Sequence, residues 1–252
     1  MCLVAAGLAD LIDTTNQALP RLAGEVGEPR NGQLVYGCPD NPAKIAELHG
    51  YWTTAHPEAG VHYWSIRSWS LLIWQPVYFS LLAVHLGHRA PSLARISQTV
   101  EAGLVGGFCL PVHSPRRGRQ ADLITFAAEQ LGEFIESQLT DFNRVCQIYP
   151  KMARLLAADC ARAALLWVNR CKPLSNSQLL DLEGQWMDAL ALSPGSSLIP
   201  VQTDDGRECL ALGRKVCCQH FRRADGELCA TCPKLKPMAR LERLREEFAL
   251  QS

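Results

Sequence analysis

The sequence predicts a mainly α protein with small β-hairpins, an α+β chain, on three observations. Apolar residues recur at three- to four-residue spacing through most of the first 190 positions. Two stretches, Arg95 to Val112 and Ser197 to Gly213, switch to β-branched and glycine residues or to a hairpin pattern. Finally, four of eleven cysteines crowd into the sixteen residues from Cys217 to Cys232. A large helical body, residues 1–196, with a small C-terminal unit, residues 197–252, built from a hairpin, the cysteine segment and a terminal helix, is therefore expected.

The first helix should run from residue 3 to about 24, with Leu3, Leu8, Leu11, Ile12, Leu19 and Leu22 on one face. A Gly/Pro/Asn-rich loop follows from Gly24 to Pro42, then a short helix ending near His56. Val61 to Leu86 is the most apolar stretch and reads as two abutting helices or one kinked at Pro76. Its length invites a transmembrane reading, but Ser70, Gln75, Pro76 and Ser80 lie inside it and Arg67 and His85 near its ends. Polar groups are costly in a bilayer, so a helix buried on most sides is preferred. The 95–112 hairpin leads into a basic loop, His113 to Arg119. Helices are then expected over about 121–145, 150–171 (proline at the start) and 177–192, the last closed by Pro194-Gly195. The second hairpin turns at Asp204-Asp205-Gly206, and a helix from about Pro237 to Leu250 carries Met238, Leu241, Leu244 and Phe248.

Composition excludes several classes. With 48% hydrophobic and 20% charged residues the chain can bury a core without staples. Lys plus Arg equals Asp plus Glu, 25 each, so no bulk attraction to nucleic acid or an anionic membrane is expected. The charge is uneven, however: between Cys209 and Arg245 nine basic residues face Asp225, Glu227 and Glu242. The N-terminus lacks a basic n-region and Asp10 and Asp13 interrupt its apolar run, so a reducing, cytoplasmic setting is expected and disulfides are disfavoured. Seven cysteines stand singly, among them Cys109, Cys146 and Cys160 in apolar surroundings, as small buried hydrophobes do.

The other four form Cys217-Cys218-x10-Cys229-x2-Cys232. Four thiols are the usual ligand count of a structural zinc or an iron–sulfur cluster. The Cys229-x-x-Cys232 spacing lets both sulfurs face one metal, and Pro233 fixes the exit of the chain. The vicinal pair is unusual for zinc, whose first two cysteines are typically two to four residues apart. Neighbouring side chains diverge, and a two-iron cluster offers them a wider target. The residues alone leave both metals open.

In this arrangement the chain resembles the FhuF-like ferric siderophore reductases, whose C-terminal signature is C-C-x10-C-x2-C on a [2Fe–2S] cluster. The resemblance implies that Cys217, Cys218, Cys229 and Cys232 hold that cluster, with no catalytic residue required beyond it. It implies a one-electron reduction of siderophore-bound Fe(III), hydroxamate type favoured, that releases iron in the cytoplasm; no transmembrane span is expected, and peripheral association with the inner face of the cytoplasmic membrane is left open. Neither a G-x-G-x-x-G fingerprint nor a Walker loop is found, and Gly103-x-x-Gly106-Gly107 falls in a hairpin, so neither flavin nor nicotinamide is indicated. The electrons would come from a ferredoxin or a separate reductase, drawn to Arg214, Lys215, Arg222, Arg223, Lys234 and Lys236, unless these are simply solvated charges.

Further candidates are His220, as a donor to a cluster sulfur or an exposed loop residue, and Trp64, Trp69 and Trp74, as lining of a siderophore cleft or as core. Arg67 and the loop residues Arg116, Arg117 and Arg119 are candidates for a ligand's polar rim. The competing readings are a zinc-stabilised helical binding module, and a [2Fe–2S] carrier or redox sensor without siderophore turnover.

Overall fold

A computed structural model describes residues 2–192 and 195–250. Helix α1 (Cys2–Ala18) packs Leu8, Leu11 and Ile12 inward. It ends earlier than its apolar pattern: Pro20 opens a 3-10 turn (Pro20–Leu22), which keeps Leu19 and Leu22 buried without continuing the helix. The supposed loop from Gly24 to Pro42 holds two short strands, β1 (Gly24–Val26) and β2 (Leu34–Val35). Strands this short have no readable period, and their partners lie about 60 to 85 residues away in the chain.

Helix α2 (Asn41–Ala55) leads through a turn at Pro57–Ala59 into α3 (Val61–His85), one continuous helix with Pro76 inside. Both faces of α3 are covered, which explains its apolar run: Trp69, Leu72, Ile73, Phe79, Leu81 and Leu82 are inaccessible to solvent. Gln75, next to the proline, is buried and bonded at both ends of its amide. Its amide donates to the Leu22 carbonyl (2.8 Å) and its oxygen accepts from Gln98 (3.1 Å), pinning α3 to the sheet. Among the described residues no helix is long and apolar enough to cross a membrane.

Strands β3 (Ser97–Glu101) and β4 (Leu104–Leu110) form the expected hairpin, but as the middle of a four-stranded sheet ordered β1-β4-β3-β2, with β1 parallel to β4. The β1 register places Gly24 opposite Phe108, and a Cβ there would sit 2.2 Å from the Phe108 ring, so only glycine lets the strand close. Three helices follow: α4 (Gln120–Asn143), α5 (Pro150–Cys171) and α6 (Asn176–Ala189). The last starts at a capping box between Ser175 and Gln178. Pro194, expected to close it, lies outside the described residues.

The chain then runs through the antiparallel hairpin β5 (Ser197–Gln202) and β6 (Glu208–Gly213) to the cysteine segment and α7 (Pro237–Ala249). Helix α7 closes a small core of Val201, Ala211, Ala230 and Leu244. Leu198, Leu210 and Val216 belong instead to the main core, so the hairpin is shared between the two. A buried ion pair, Arg162 on α5 with Glu183 on α6 (2.5 Å), fastens this junction, because the Glu183 carboxylate also accepts from the Leu198 backbone N–H.

Candidate metal centre

The cysteine segment is held from three sides. Val216 is buried in the main core, which fixes the chain just before Cys217. Arg222 donates to the Ala59 carbonyl (2.7 Å) and the Ala224 N–H to Glu58 (3.0 Å), docking the middle of the segment on the turn before α3. From α7, Arg243 donates to the Leu228 carbonyl and Arg240 to the Arg214 carbonyl (3.4 Å).

Local turns aim the sulfurs. Gln219 adopts a left-handed conformation (φ 60°), turning the chain directly after the vicinal pair, and its N–H points at the Cys217 sulfur (3.4 Å). A short 3-10 turn (His220–Arg222) and a turn from Arg223 to Gly226 return the backbone. Gly226 is required for that close return, because a Cβ there would lie 2.1 Å from the His220 carbonyl oxygen. The Cys232 N–H then bonds the Cys229 carbonyl (2.9 Å), the turn that the x-x spacing anticipates.

The four thiols meet in two pairs. Cys217 and Cys232 approach to 4.0 Å between sulfurs, close to the roughly 3.8 Å separating two thiolates that share one tetrahedral metal at about 2.3 Å. Cys218 and Cys229 lie close enough for each thiol to shift the other's pKa. Among the described residues no three His, Cys, Asp or Glu side chains converge on a single point. A tetrahedral zinc site would gather all four sulfurs round one centre. Two pairs suit two irons, and they explain the vicinal cysteines, whose side chains diverge to different pairs. The residues present therefore fit a two-iron cluster.

Electrostatics favour the ionised form that such a cluster needs at Cys229 and oppose it at Cys218 and at Cys232, where burial pushes the thiol up. The Cys229 thiol is pulled well below the usual range, first by the neighbouring Cys218 thiol and then by Thr231 and the Arg214 charge; Cys218, through its Cys229 neighbour and through burial, moves the opposite way. Arg214 is mostly buried and paired with the buried Asp159 on α5 (3.0 Å), so its cation is locked in place.

The other expected residues divide sharply. His220 lies against the Tyr63 ring (6.3 Å between centroids), and burial, then the charges of Arg223 and Arg67, lower its pKa, which favours the neutral imidazole. Trp69 is core, its indole N–H bonded to the Ala153 carbonyl (3.0 Å). Trp64 and Trp74 are half-buried, and Trp74 with Arg67 lines a cleft beside Arg214. Arg116 stacks on Phe126 and Arg119 pairs with Asp122, both within or next to α4. The basic surface is smaller than its sequence suggests: Arg214 is spent on Asp159 and Arg223 on Asp225 (2.5 Å), leaving Lys215, Arg222, Lys234 and Lys236 exposed. Sequence reasoning missed Asp159, Glu58 and Tyr63. Asp159 alone carried a signal, a carboxylate among the alanines and leucines of the buried face of α5.

Residues 214–234 match the model of the FhuF 2Fe-2S C-terminal domain, a span that contains all four paired cysteines. Residues 214–234 are thus an FhuF-type 2Fe–2S C-terminal segment, which supports a [2Fe–2S] cluster as the cofactor and suggests a redox role.

Proposed function

We propose that this protein is a ferric siderophore reductase, delivering one electron to siderophore-bound Fe(III) and releasing Fe(II) in the cytoplasm. The observation that carries the reading is the FhuF-type segment at 214–234 with its cysteines in two pairs. In this reading Cys217, Cys218, Cys229 and Cys232 would hold the cluster, the close Cys217–Cys232 pair suiting one iron and Cys218 with Cys229 the other, and the body formed by residues 1–196 receives the chelate while residues 197–252 present the cluster.

The chemistry needs neither nucleophile nor acid–base pair. Siderophore oxygens are hard ligands matched to Fe(III), and reduction to Fe(II) weakens the match enough to let the metal go. When bound, the cluster supplies single electrons. The chain's own residues do the rest: Arg214 holds positive charge beside the thiolates, the Gln219 N–H points at a sulfur, and the Arg222–Ala59 and Ala224–Glu58 bonds fix the segment against α3. A ferredoxin or separate reductase restores the electron, and the exposed Lys215, Lys234 and Lys236 suit an acidic partner of that kind.

The test is anaerobic incubation of the dithionite-reduced protein with a panel of ferric siderophores, Fe(II) being trapped by a ferrous chelator. Stoichiometric release is expected, together with a visible spectrum that bleaches on reduction. Serine at any one of Cys217, Cys218, Cys229 or Cys232 should abolish both. A colourless protein with one tightly held zinc would overturn the assignment, and a reducible cluster with no release from any chelate would leave an electron carrier instead.

A further inference from the structure

Next to the cysteine segment, α3, α5 and the end of β6 enclose an open cleft of about 380 Å³ whose walls include Arg21, Arg67, Trp74, Tyr78, Asp159 and Arg214. Three guanidinium groups face one carboxylate there, so the cleft is net positive although the chain as a whole is neutral. Two of these residues keep an unused bonding atom. Arg67 lies over the Trp52 ring (4.7 Å) with its Nε buried and unpartnered, and Asp159 spends Oδ2 on Arg214 while its buried Oδ1 has no partner. Buried polar atoms are nearly always satisfied, so one spare donor and one spare acceptor on residues that line a single cleft mark it as a place where an occupant could be bonded once these side chains turn toward it.

We infer that this cleft is the chelate site, and that it selects ferric complexes with net negative charge and amide N–H groups. The inference rests on the reductase reading and specifies its substrate class. Arginines offer carboxylate and hydroxamate oxygens a matched set of donors. Asp159 Oδ1 can accept from an amide N–H, and the Trp74 and Tyr78 rings give an apolar wall for the ligand's carbon skeleton.

Position supports the same site. Arg67 and Arg214 both act electrostatically on Cys218, so a complex seated between them lies on that cysteine's side of the segment. The cleft beside Cys229 has the opposite character: Asp225, Glu227, Glu246 and Glu247 outnumber Arg243 there and would repel the same anion. Of these two clefts, charge favours the first for an anionic complex.

Gallium(III) complexes test this, since gallium occupies the same chelators but is not reduced, and binding is read without turnover. The probes are a linear trihydroxamate with a terminal ammonium, whose complex is cationic, and the same ligand with that amine succinylated, whose complex is anionic. Affinities for the cluster-loaded protein follow from tryptophan fluorescence or calorimetry at low salt. The anionic complex should bind at least about tenfold more tightly, with the preference shrinking as salt is added. Arg21→Gln and Arg67→Gln should each reduce the preference to about threefold or less. Equal binding of the two complexes to the wild type, or a preference that survives both substitutions, would overturn the assignment. Should Arg67→Gln fail to hold its cluster, Arg21→Gln decides alone, because that side chain is exposed and comes from the 3-10 turn after α1, outside the cysteine segment. Charge-selective gallium binding without reduction of any ferric chelate would leave the cleft and remove the reductase. Reduction without charge selectivity would do the reverse.

Discussion

Replacing Glu183 by alanine should destabilise the protein far more than an ordinary polar-to-alanine change. The Arg162 side chain is 3% exposed and that of Glu183 11%, and the carboxylate serves two partners, Arg162 and the Leu198 N–H at the start of β5. Its loss leaves a buried cation and a buried backbone donor without an acceptor, and breaking such a pair costs about 3–5 kcal/mol. For a chain of this size that corresponds to a fall in melting temperature on the order of 10 °C. The assay is urea denaturation of the cluster-loaded protein followed by far-UV circular dichroism, where the midpoint should drop by about 1 M or more. The double substitution Arg162→Met with Glu183→Leu removes both charges and should recover most of the loss, because a well-packed apolar pair of similar volume often replaces a buried ion pair at little cost. If Glu183→Ala leaves the midpoint where it was, or the double variant is as unstable as the single, the pair does not fasten the junction as argued.

Two further outcomes follow from single geometries. Gly226→Ala forces a Cβ to 2.1 Å from the His220 carbonyl, a backbone atom that cannot swing away. Strain of about 1–3 kcal/mol in the loop between the thiol pairs should lower the iron content per chain, while the helical signal stays at the wild-type level; full iron occupancy would count against the tight return. His85 on α3 accepts a bond from the buried Trp186 N–H (2.8 Å), and burial, with the Lys172 and His88 charges, lowers its pKa from 6.5 to about 4. Because the folded value is the lower one, the unfolded chain binds the extra proton between about pH 4 and 6.5. Stability should therefore be complete above pH 6.5 and be lost as pH falls toward 4, by up to about 3 kcal/mol for this group. Denaturation midpoints at pH 7 and 4.5 check it: His85→Gln, which still offers Trp186 an acceptor, should show a smaller drop than wild type, and an equal drop would refute the assignment.

Much of the fold was legible because long helices leave long records. The periodic apolar residues of α4 and α5, and the proline that opens α5, sufficed to place them. Both hairpins were readable, the first from its β-branched and glycine residues and the second from its Asp204-Asp205-Gly206 turn. The sheet was not, since β1 and β2 are too short for a pattern and exist only by bonding to β4 and β3. The end of α1 was misjudged because Leu19 and Leu22 stay buried through a 3-10 turn, so burial outlasts the helix. Of the candidate tryptophans, Trp69 is core while Trp74 reaches a cleft, a distinction invisible in equal spacing.

By itself the sequence determined the chemistry of the centre: four cysteines at C-C-x10-C-x2-C select a metal–sulfur site, because spacing along the chain limits which sulfurs can share a metal. Only the tertiary structure decided how they divide, Cys217 with Cys232 and Cys218 with Cys229, because the Gln219 turn and the docking of Arg222 and Ala224 on the start of α3 set the directions of the side chains. It also decided which charges remain available. Arg214 and Asp159 are 55 residues apart in sequence, and the neutralisation of one by the other depends on α5 packing against β6.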